Sequence, residues 1–165
     1  MIVLDASVLI AHLDARDAHH GAATSLLSDF AGELLVASSL TIAEVLVGPA
    51  RAGHLDHAIA ALDQLHIGTQ HLPEDGPARL ALLRAETNLE LPDCCVLLAA
   101  EQTDGSVATF GCRLATAAAE RGLAVRAPQW PIRLRDSPVA PRGAGEQAGV
   151  SARGSDATPG IASPT

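Results

Sequence analysis

Residues 1–13 read MIVLDASVLIAHL. Ile2-Val3-Leu4 is a short apolar run, and Val8, Leu9 and Leu13 fall in helical register immediately after it, predicting a strand and then a helix over 7–13. A strand that passes directly into a helix opens an α/β unit. Asp5 stands at the junction, at the carboxyl end of the strand. In a parallel sheet the chemistry collects in the crevice beyond those ends.

The same alternation continues along the chain. Helical patterns over 19–30, 54–65, 75–87, 93–101 and 113–121 are separated by extended stretches at 33–37, 67–72, 106–110 and 123–125. Ser38 or Ser39 caps a further helix carrying Leu40, Ala43, Val45 and Leu46, which Gly48-Pro49 is expected to break or kink. Pro92 launches the most apolar helix, and Asp104-Gly105 turns it into the next strand. Strands separated by helices imply a small, mostly parallel sheet with right-handed crossovers, a three-layer α/β/α sandwich. After Arg126 the composition shifts to Pro, Gly, Ser and Ala without a periodic apolar face. The expected organisation is therefore a domain over 1–126 and a disordered tail over 127–165, with Trp130 and Ile132 available to pin the start of the tail.

Composition narrows the partners. The 165 residues carry a net charge of -8, and aromatic residues make up 2%. Base stacking on aromatic platforms is excluded as a binding mode, and no broad basic face exists to hold phosphate. The tail holds Arg133, Arg135, Arg142 and Arg153 against Asp136, Glu146 and Asp156, so the net negative charge lies in the folded part. A nucleic-acid partner would then require a divalent cation at its site. The opening segment lacks a basic n-region and soon stops being apolar, which reads as neither a signal peptide nor a membrane span, and points to the cytoplasm.

Three acids stand at element ends that such a sheet would gather. Asp5 follows the first strand, with Ser7 available to cap the helix or to orient the carboxylate. Glu44 lies in TIAEVLV between Leu40 and Val47, an apolar face on which an acid is costly unless paired or liganding a cation. Asp93 opens the helix LPDCCVLLAAEQ. Asp5 and Asp93 also suit ordinary helix capping, and Glu44 the edge of an apolar stripe. Clustered carboxylates repel, and a hard divalent ion with oxygen ligands relieves that repulsion. Such an ion also activates water against a phosphodiester.

MIVLDASVLIA, AEVL around Glu44, LPDCCVLLAA from Asp93 and VATFGCRLA, in this order, resemble the successive motifs of PIN-domain ribonucleases, and most closely the VapC toxins of VapBC toxin–antitoxin modules. The resemblance covers residues 1–126. It implies a PIN-like fold with Asp5, Glu44 and Asp93 holding Mg²⁺ or Mn²⁺ for endonucleolytic RNA cleavage, Ser7 supporting the first acid, and Thr109 near it or the scissile phosphate. It also implies a VapB-like antitoxin as partner and a homodimer, with Ala- and Leu-rich helices at 58–65 and 80–85 offering the surfaces. One departure stands out. The family commonly has a fourth Asp after the last strand, where this chain has Gly111. Asp104 precedes that strand, at its wrong end. Three acids suffice for one ion, and the alternative is a PIN scaffold that keeps a partner and cuts nothing.

Other features carry less. His54 and His57, and His19 and His20, lack further ligands at metal-binding spacing and read as solvent-facing. Cys94, Cys95 and Cys112 form no C-x-x-C and read as small buried hydrophobes. No phosphate-binding glycine loop or G-x-S-x-G elbow is present. Arg51, Arg79 and Arg113 are the candidate RNA contacts.

Overall fold

The structure, a computed structural model, describes residues 1–127. Apart from its first residue, the expected tail lies outside the described residues, Trp130 and Ile132 included.

The chain begins with β1 (Ile2–Leu4), α1 (Ala6–Leu13), α2 (His20–Asp29), β2 (Leu35–Ser38), α3 (Ser39–Arg51), α4 (Leu55–Gln64) and β3 (Gly68–Gln70). It continues with α5 (Gly76–Thr87), α6 (Leu91–Thr103), β4 (Ser106–Ala108), α7 (Cys112–Glu120) and β5 (Val125–Arg126). The sheet order is β3-β2-β1-β4-β5. Every pairing is parallel, so the expected mostly parallel sheet is wholly parallel among the described residues.

Alternation along the strands makes the layers. Val3, Val36 and Val107 point to the side filled by α5, α6 and α7, where they meet Leu83, Leu97 and Leu114. Ile2, Leu4, Leu35, Ala37 and Ala108 point to the other side, against Val8, Leu9, Leu26 and Leu62. Strands buried on both faces read as continuous apolar runs, which is why Ile2-Val3-Leu4 was visible without any polar alternation. Residues 94–100 of α6 are all buried, as a helix apolar on every side must be.

Several boundaries differ from expectation. The strand expected over 106–110 ends at Ala108, because the Phe110 amide donates to Ser7 Oγ (3.1 Å) and the Gly111 amide to Thr109 Oγ1 (2.9 Å). Side-chain hydroxyls have taken donors that a ladder would use. The last strand starts late because the Leu123 amide closes the end of α7 onto Ala118 (3.0 Å), with Gly122 at φ +77°. Gly48-Pro49 does not break α3, which runs on to Arg51. Pro49 sits in the last turn, where few later bonds depend on it, and the Ala52 amide closes onto the Gly48 and Pro49 carbonyls (3.1 Å each). Ser38, not Ser39, caps α3, accepting from the Thr41 amide at 3.0 Å. No helix among the described residues is long and apolar enough to cross a membrane.

Candidate metal centre

The carboxyl ends of the central strand β1 and its neighbour β4 meet at Asp5. Its amide donates to the Ala108 carbonyl (2.9 Å), which continues the β1–β4 pairing by one step. Asp5 occupies the cap position of α1, but its side chain makes no cap bond. Its carboxylate is used otherwise. Oδ2 accepts from Ser7 Oγ (2.5 Å) and from Thr109 Oγ1 (2.7 Å). Each hydroxyl is oriented in turn by an amide of the turn after β4, Phe110 on Ser7 and Gly111 on Thr109. Oδ2 is thereby committed to the protein, and Oδ1 is left for a ligand.

Glu44 and Asp93 arrive from the flanking helices. The Ser38 cap fixes the start of α3 at the end of β2, and Glu44 follows in its second turn. The expected buried apolar face around Glu44 is corrected: Leu40 and Val47 are 42% and 43% exposed, and Glu44 is exposed with them. Asp93 is half-buried in the first turn of α6. It makes no cap bond either, since Glu90 holds the cap position.

Charge links these groups. Burial first, then Asp5, raises the Asp93 carboxyl above the usual range, Glu90 adds to the effect and the Arg113 guanidinium opposes it. Local desolvation, then Asp5, Asp93 and Glu90, raises Glu44. Like charges in reach of one another destabilise the ionised forms. Among the described residues no three His, Cys, Asp or Glu side chains converge tightly enough to grip one ion as they stand. The donor chemistry nonetheless fits a hard divalent cation: every group is a carboxylate oxygen, and mutual repulsion is the penalty such an ion removes.

Glu90 and the amides of Phe110 and Gly111 escaped the sequence reading. Pro92 early in α6 was the available signal for Glu90, since it marks a helix start with two acids one turn apart. Gly111 caps α7 without a side chain, so the turn after β4 contributes amides and no carboxylate.

Beside Glu44 a cleft of about 550 Å³ opens between α1, α3 and α4, lined by Ile10, Leu13, Val45, Pro49, Ala58 and Ala61 among others. His54 and His57 are exposed and line this cleft. His19 and His20 are half-buried rather than solvent-facing: the His19 ring lies 5.1 Å from Phe110, and the His20 ring nitrogen is 3.0 Å from the Ala11 carbonyl. Cys94 and Cys95 are buried as expected, whereas Cys112 is exposed at the start of α7.

The chain matches the family model described as PIN domain over residues 2–120. No curated protein matches its sequence. Among solved structures it is similar to a toxin-antitoxin complex from Klebsiella pneumoniae, 23% identical over 67% of this chain and 87% of that one, with a TM-score of 0.57. VapBC2 from Rickettsia felis bound to a DNA fragment from their promoter is 14% identical over 77% and 98%, with a TM-score of 0.61. VapC20 of Mycobacterium tuberculosis, a Sarcin-Ricin loop cleaving toxin, is 18% identical over 71% and 95%, with a TM-score of 0.56. At such identities the likeness is one of fold.

Proposed function

The chain belongs to the PIN-domain family, and from that premise we propose that it is a metal-dependent endoribonuclease, the toxin of a type II toxin–antitoxin pair acting in the cytoplasm. The observation that carries the reading is the Asp5 carboxylate, held by two hydroxyls at the strand ends within electrostatic reach of Glu44 and Asp93. Asp5 and Asp93 would hold Mg²⁺ or Mn²⁺, and Glu44 would bind the ion or orient the attacking water. Ser7 and Thr109 keep Asp5 in one orientation and leave Oδ1 for the ion. When bound, the cation supplies a more acidic water and stabilises charge on the phosphate oxygens, the chemistry of phosphodiester hydrolysis.

The partner is a small VapB-like antitoxin. Two of the similar structures are toxin–antitoxin assemblies by description. The cleft beside Glu44 supports the same reading, since its apolar lining suits a short helix laid against α1, α3 and α4.

The test is an RNA cleavage assay with Mg²⁺ or Mn²⁺, repeated in EDTA and with Asp5→Asn. Cleavage that disappears in both supports the reading, and equal cleavage by variant and wild type overturns it. A second reading rests on Gly111: without a fourth carboxylate the chain is a scaffold that binds antitoxin or RNA and does not cut. Absence of cleavage under every metal condition, with a partner still bound, favours that reading.

A further inference from the structure

An acidic site repels the phosphates it would cleave, so something positive must hold the strand beside it. Of the seven arginines of residues 1–127, three are held by carboxylates. Arg16 pairs with Asp14 (3.1 Å), and Arg79 and Arg121 share Glu101 (3.3 and 2.6 Å). Arg121 also reaches Glu86 (3.0 Å), Arg84 donates to the Leu89 carbonyl (2.8 Å), and Arg126 lies over the Phe30 ring. Arg51 ends α3 two turns beyond Glu44, about 10 Å along the axis.

Arg113 is different. It stands in the first turn of α7, where helix amides add positive potential, two residues after Gly111, whose amide holds the Thr109 hydroxyl that bonds Asp5, and its charge offsets that of Asp93. Its Nη2 donates to the Asn88 carbonyl at 2.6 Å. A guanidinium has five N–H donors, so this one neutral contact fixes the side chain and leaves the others, with the full charge, available. The anchor itself is well set, since Asn88 takes the left-handed conformation that ends α5. Behind Arg113 a groove of about 490 Å³ runs along α7, lined by Thr87, Leu89, Thr116, Glu120 and the Glu86–Arg121 pair. Glu86 and Glu120 balance Arg113 and Arg121 in this lining, and of the two arginines Arg113 is the one whose charge acts on Asp93.

We propose that Arg113 is the phosphate anchor of the carboxylate site, gripping an RNA phosphate next to the scissile one. The inference rests on the ribonuclease reading and adds to it the residue that binds substrate. It makes Arg113 a determinant of KM rather than of metal binding.

The experiment measures binding of a labelled single-stranded RNA oligonucleotide to the full chain in Mg²⁺, on an Asp5→Asn background so that the RNA stays intact, across a salt series. Adding Arg113→Ala is expected to weaken binding about tenfold and to flatten the slope of log K against log salt by about 0.7, the loss of one phosphate contact on a single strand. Arg113→Lys restores the slope and only part of the affinity, because lysine lacks the planar fork. Unchanged binding and slope in Arg113→Ala overturn the anchor while leaving the ribonuclease reading intact. Weaker binding at an unchanged slope, not rescued by lysine, also overturns the anchor and makes Arg113 a brace for the end of α5. Failure of every form to bind RNA overturns the ribonuclease reading together with it.

Discussion

Thr109 Oγ1 donates to Asp5 Oδ2 across 2.7 Å, joining residues 104 apart in sequence at the ends of adjacent strands. Thr109 is only 1% exposed, so its hydroxyl has no water to turn to. Thr109→Val keeps the shape, removes the donor to Asp5 and removes the acceptor of the Gly111 amide. The expected result is a loss of about 10- to 100-fold in metal affinity or cleavage, the usual scale for a group that orients a ligand. Stability should fall by about 1.5–3 kcal/mol, as for a hydrogen bond to a charged group. Metal titration and thermal melting of Thr109→Val beside Ser7→Ala measure both quantities. Wild-type metal affinity in both variants would show that the hydroxyls do not position Asp5 for a ligand.

Gly111→Asp puts back the carboxylate that the turn after β4 lacks. The backbone there (φ -79°, ψ 114°) accepts any residue. A Cβ would stand 3.3 Å from Thr109 Oγ1, a contact that needs a shift of a few tenths of an ångström. As an N-cap, Asp gains only a few tenths of a kcal/mol over Gly, so a change in activity will not be a folding effect. Tighter Mn²⁺ binding and faster cleavage are the expected outcome for an enzyme weakened at this position. No gain, in a chain whose wild type already cuts, means that three acids suffice. No gain in a chain that never cuts supports the scaffold.

The strands and the acids were legible for one reason. A parallel sheet buries both faces of its strands, so Ile2-Val3-Leu4 and Ser106-Val107-Ala108 stand out as runs, and the polar residue that follows each stands at the functional edge. Asp5 was found in that way, whereas Thr109 was read as part of the strand and singled out only through the family resemblance. What local pattern could not reveal was where backbone donors go. Thr109-Phe110 looks like strand, and only the approach of Ser7 from the other end of the chain diverts the Phe110 amide. Glu44 was found for a partly mistaken reason, since its neighbours Leu40 and Val47 are apolar but exposed. Glu90 was missed because its proximity to Glu44 is tertiary.

The raised carboxyls predict how metal and pH act on stability. Glu44 and Asp93 are held above 4.5 and 3.8, their ordinary values. Between the ordinary and the raised value the native state binds more protons than the unfolded chain, so stability falls as pH rises through that window. The penalty persists at neutral pH. Metal-free Asp93→Asn should therefore melt a few degrees above the metal-free wild type at neutral pH, with a flatter acid-side profile. Mg²⁺ or Mn²⁺ should reverse the order by stabilising the wild type, by about 2.7 kcal/mol at roughly 100 times Kd. Equal melting temperatures in EDTA would mean that the acids do not strain the fold.

The opposite sign is expected at His12. Its ring stacks on His20 with centroids 6.1 Å apart, and its Nδ1 lies 3.1 Å from Thr24 Oγ1, so the pair joins α1 to α2. Burial first, then the His20 charge, holds His12 below its ordinary value of 6.5. On the acid side of 6.5 the unfolded chain binds more protons than the native one. The stabilisation is full above 6.5 and is lost as pH falls from there through the lowered native value. His12→Gln should flatten this mildly acidic drop in melting temperature. Glu44 and Asp93 act in the opposite sense lower on the pH scale, so the comparison belongs on the Asp93→Asn background, where one of the two opposing groups is gone. An undiminished drop there would place the acid sensitivity outside the α1–α2 contact.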